Sequence, residues 1–66
     1  MSAVSKNIKK MRLIRNLTQE EMASQLYVTR QTISNWENGK SQPDIETLIN
    51  IADALDANMV DLIYGA

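Results

Sequence analysis

The stretch "YVTRQTISNWENGK", Tyr27 to Lys40, gathers side chains of one chemical kind. Arg30, Gln31 and Thr32 stand together, and Asn35 follows about one helical turn later on nearly the same face. A guanidinium can donate twice to O6 and N7 of guanine, and a carboxamide can both donate to and accept from an adenine edge. A helix kept only for solubility would more often carry Glu and Lys at these places. The set therefore points to reading a planar edge of donors and acceptors.

Other chemistries are poorly supplied. The 66 residues include no Cys and no His, which excludes disulfides and the usual thiolate or imidazole metal sites. No glycine-rich phosphate loop is present, and Asp53 and Asp56 read as solvated acids on a surface turn. No catalytic centre, metal or cofactor is expected, so the chain does not read as an enzyme. The overall charge of −1 argues at first against an anionic partner, but its distribution does not. Residues 1–40 sum to +4 and residues 41–66, with no Lys or Arg, to −5. Such a molecule can turn its basic end toward an anion. The cluster Lys6, Lys9 and Lys10 either shares in that or serves solubility.

The elements that must hold these groups are helical. Strand signals are missing, whereas helix starts recur. Thr18 and Glu21 fit a capping box, with Leu17 and Met22 as its staple. Thr29 repeats the arrangement with Val28 and Ile33. Asp44 follows Pro43 and precedes Ile45, Leu48, Ala52 and Leu55 at helical spacing, and Asn58 with Asp61 opens a last short helix. A first helix is expected over about residues 5–15, with Val4, Ile8 and Met11 on its inner face. Asn16, Tyr27, Gly39 and Asp56 mark ends, Gly39 being the best left-handed cap. The result is an all-α, compact bundle of five short helices forming one domain over residues 1–66, with its core at about 4–64. A domain this size buries only about 60% of its unfolded surface. Trp36 shares the inner face with Ile33 and belongs to the core; base stacking by Trp would suit single strands. No stretch approaches the ~20 apolar residues of a membrane span, and "MSAVSKNIKKM" lacks a signal-peptide apolar region, so a cytoplasmic protein is expected.

Only Tyr27 and Val28 separate the second helix from the Thr29 cap. Two short helices joined this tightly form a helix-turn-helix, here about residues 18–38; in DNA-binding versions the N-terminal residues of the second helix, here Arg30, Gln31 and Thr32, meet base edges.

The segment "LTQEEMASQLYVTRQTISNWENGKSQPDIETLINIADAL" closely resembles the Cro/phage-repressor type of helix-turn-helix domain, the XRE family, and the likeness spans about residues 4–64. Its marks, in order, are Leu17-Thr18-Gln19 with Glu21, Ile33 with Trp36-Glu37, Asn38-Gly39-Lys40, Pro43, Leu48 and Ala52. The resemblance implies a lambda-repressor-like fold. It implies base contact by Arg30, Gln31, Thr32 and Asn35, and DNA-backbone contact by Gln19, Thr29, Asn38 and Lys40. It also implies a partly buried structural pair of Arg12 with Glu37. The expected function is sequence-specific binding of a double-stranded DNA operator by a transcriptional regulator, a repressor, as a homodimer on DNA. The alternative is an antitoxin-like or adaptor module that binds a protein partner through its acidic C-terminal half. The family often has Gly where this chain has Tyr27 and Asp56, so a slightly different turn is expected there. Leu13 should be exposed. Met59, Val60, Ile63 and Tyr64 form an apolar group, part core and part available for a two-fold contact.

Overall fold

Each of the last four helices forms directly after a short polar side chain that caps it. The computed structural model describes residues 3–65. They form α1 (Ala3–Ile14), α2 (Gln19–Leu26), α3 (Arg30–Glu37), α4 (Ile45–Ala54) and α5 (Met59–Tyr64), and no strand occurs among them. Thr18, Thr29, Asp44 and Asn58 accept from the backbone N–H groups of Glu21, Thr32, Thr47 and Asp61. Each bond satisfies one of the donors a helix start leaves over, and a cap of this kind contributes about 1 kcal/mol. The capping box of α2 is complete, because the Glu21 carboxylate also accepts from the Thr18 N–H at 2.8 Å. That N–H, and then the Thr18 hydroxyl, hold the Glu21 pKa below its ordinary value. α1 runs two residues earlier than expected and stops at Ile14, leaving Arg15 in the turn; Val4 packs against the core and draws the helix start outward.

The ends of the first four helices share one motif. Asn16, Tyr27, Gly39 and Asp56 all have positive φ, at 57°, 58°, 73° and 51°. Their N–H groups donate to Leu13, Ser24, Trp36 and Asp53, while the next residues donate five back, to Arg12, Ala23, Asn35 and Ala52. This is the paired bonding of a Schellman turn. The different turn expected at Tyr27 and Asp56 does not occur. Both residues take the left-handed conformation at a cost of about 1–2 kcal/mol each, offset by the carbonyls the motif satisfies.

Ile8, Met22, Ile33, Ile51, Leu55 and Leu62 are fully buried, and Trp36 joins them. α1 packs on α3 and α5, and α2 on α3 and α4. Two polar ties close the bundle. Asn7 Nδ2 donates to the Leu62 carbonyl at 3.0 Å, and Arg15 donates to the carbonyls of Leu55 (2.8 Å) and Asp56 (3.0 Å) at the end of α4. On α5, Leu62 is core and Met59 packs against it, whereas Val60 and Tyr64 are exposed. Leu13 and Ile14 are exposed as well.

Candidate nucleic-acid interface

α3 is presented by what lies beneath it. Ile33, Trp36 and Glu37 are its buried face, so Arg30 and Gln31 are left exposed and Asn35 half-exposed. Glu37 takes a two-pronged bond from Arg12, Nε to Oε2 at 2.7 Å and Nη2 to Oε1 at 3.1 Å. Arg12 Nη1 donates to the Leu17 carbonyl at 2.7 Å, so the guanidinium joins α1, the turn before α2 and α3. The chain of bonds continues outward. Gln19 Nε2 donates to Glu37 Oε1 at 3.1 Å, and Gln19 Oε1 accepts from Arg30 Nη1 at 3.3 Å. Every bond in the series involves an ionised group, and burial orders them, from 2.7 Å at buried Arg12 to 3.3 Å at exposed Arg30.

Two further contacts order the helix surface. Gln31 Nε2 donates to Asn35 Oδ1 at 3.1 Å, across one turn. The pair keeps the Gln31 carbonyl oxygen as acceptor and the Asn35 amide as donor, which are the two functions an adenine edge asks for. The hydroxyls of Thr29 and Thr32 lie 3.0 Å apart and bond each other. Thr32 is half-buried, less outward than its two predecessors. Asn38 and Lys40 follow α3 and are exposed; Asn38 Nδ2 donates to Ser34 Oγ at 3.2 Å.

The basic half is less free than its formal charge. Arg12 serves Glu37, and Arg15 serves the end of α4 with an exposed 3.6 Å ion pair to Asp56. Lys6, Lys9, Lys10, Arg30 and Lys40 remain exposed. Asp53 does not lie in a turn with Asp56 but on α4, because that helix runs to Ala54. Sequence reading missed the ties of Arg15 and Asn7, whose partners lie 40 and 55 residues away, at no periodic spacing.

A capped two-helix joint carrying Arg, Gln and Asn on its second helix defines a helix-turn-helix module. A family model described as helix-turn-helix matches residues 8–62, and the chain belongs to that family, in its Cro/C1 (XRE) type. It is 43% identical over 61 residues to the HTH-type transcriptional regulator YqaE of Bacillus subtilis, covering 92% of this chain and 53% of that protein. It is 39% identical over 61 residues to the HTH-type transcriptional activator BcrR of Enterococcus faecalis, covering 92% of this chain and 30% of that one. The chain thus spans about half or less of these two relatives. The P22 c2 repressor, solved with a synthetic operator, superposes with a TM-score of 0.86 at 24% identity over 96% of both chains. Its likeness shows the fold. No helix among the described residues is long and apolar enough to cross a membrane.

Proposed function

We propose that this chain binds double-stranded DNA in a sequence-specific manner, with α3 in the major groove, and acts as a transcriptional repressor in the cytoplasm. The observation that carries the reading is the outward set on α3, Arg30 anchored through Gln19 and Gln31 paired with Asn35. Arg30, Gln31, Asn35 and, from a more recessed position, Thr32 meet base edges. Gln19, Thr29, Asn38 and Lys40 meet the DNA backbone, fixing register while the others select sequence. The free N–H groups and dipole at the start of α3 favour a phosphate beside Thr29. Two copies bind a two-fold site through the exposed Val60 and Tyr64 of α5, with recognition helices one DNA turn apart, about 34 Å. Repression is the form we favour because it requires occupancy of the operator alone.

Selection from random duplex DNA tests this reading, followed by titration of Gln31→Ala and Asn35→Ala over a salt series. A two-fold site should emerge, and each change should cost about 1–3 kcal/mol there while nonspecific binding barely moves. Equal binding of every duplex by the unaltered chain would defeat it. A reporter under the selected site then separates repression from activation.

A further inference from the structure

Two faces of the bundle lie outside the DNA reading except at Asn38, and they are complementary. The first is the outer side of α1, where Lys6, Lys9, Lys10, Leu13 and Ile14 follow one another at helical spacing. Leu13 is 54% and Ile14 64% exposed. These residues line a groove of about 580 Å³ together with Asn38 and with Glu37, whose charge is already taken up by Arg12. Among the described residues none of the three lysines enters an ion pair. The second is the outer side of α4, where Ile45 (65% exposed) and Ile49 (49%) lie beside Glu46 and Asp53. One face is apolar with a basic rim and the other apolar with an acidic rim. A phosphate would satisfy the lysines but leave Leu13 and Ile14 in water. An acidic helix with a short aliphatic stripe satisfies both, and α4 of another copy is such a helix.

We infer that the α1 groove is the docking site for the outer face of α4 of a second copy of this chain, with Ile45 and Ile49 on Leu13 and Ile14 and the lysines opposite Glu46 and Asp53. The two faces belong to different elements: if both contacts form between the same two copies the dimer closes two-fold, and otherwise each added copy leaves one groove and one α4 face unfilled and assembly continues. Few residues are involved, and half of them are charged. The association is therefore weak, strongest at low salt, and distinct from the two-fold contact through α5.

Sedimentation of the whole chain without DNA tests this, independently of whether it binds DNA. The weight-average mass should rise above that of a monomer with concentration, and the association constant should fall at least about tenfold between ~50 mM and ~500 mM salt. The double variants Lys9→Glu/Lys10→Glu and Glu46→Lys/Asp53→Lys should each lose association. An equimolar mixture of the two should regain it, because each then offers the other a complementary face. Circular dichroism establishes that both remain folded, and the salt series on the unaltered chain stands without them. A chain that stays monomeric at low salt and high concentration overturns the proposal. So does association that the two double variants leave intact, or a mixture that fails to restore association between two folded variants.

Discussion

Glu37 is the residue on which the most structure converges, accepting from Arg12 twice and from Gln19 once while almost wholly buried. Deleting one member of a buried pair leaves the other charge uncompensated, at a cost of about 3–5 kcal/mol. Glu37→Ala should therefore move the urea midpoint sharply down, whereas Arg12→Met/Glu37→Leu together should recover most of the loss. Tyr27 raises the opposite expectation. Its side chain is 95% exposed and its φ is 58°, so the core gains little from it and the backbone is strained. Tyr27→Gly should stabilise by about 0.5–1 kcal/mol, the relief of left-handed strain less the entropy glycine loses on folding, and thermal melts would show it. The Arg12–Glu37 pair was visible in sequence only through family resemblance, because no spacing rule joins residues 25 apart.

Among the elements, starts and stops were the most legible feature, because caps act over three or four residues. Thr18, Thr29, Asp44 and Asn58 begin helices where expected, and Asn16, Tyr27, Gly39 and Asp56 follow the ends of four. The start of α1 was less legible, since it was placed by the periodicity of Val4, Ile8 and Met11 alone, and the two polar ties were not legible because they join side chains to distant carbonyls. The caps also set an acid response. Glu21 has its pKa lowered by Thr18, and Asp44 has its own lowered by the Thr47 hydroxyl and then the Thr47 N–H. An acid with a folded pKa below its unfolded one adds stability that is full above the ordinary carboxylate range and disappears as pH falls through the lowered value. Tm measured from neutral pH down to about 2 should drop through that window, and Glu21→Gln with Asp44→Asn should flatten the drop. Thr18→Ala should cost about 1 kcal/mol near neutral pH.

At the scale of the whole molecule, a bundle this small has little stability in reserve, and a ligand that binds only the folded state becomes a large part of the total. A duplex carrying the selected site, at about 100 times its Kd, should add about 2.7 kcal/mol and raise Tm by several degrees, while a scrambled duplex adds much less. Calorimetry with both duplexes would measure the difference. The ties of α1 have another consequence. Asn7 reaches Leu62, Arg12 reaches Glu37, and Arg15, just past the helix end, reaches Leu55, so these three ties run 25 to 55 residues downstream. A chain growing from its N-terminus makes α1 first and everything α1 binds afterwards. On the ribosome α1 must wait, with Asn7 unpartnered, until α5 has left the exit tunnel, and the bundle closes in a late step.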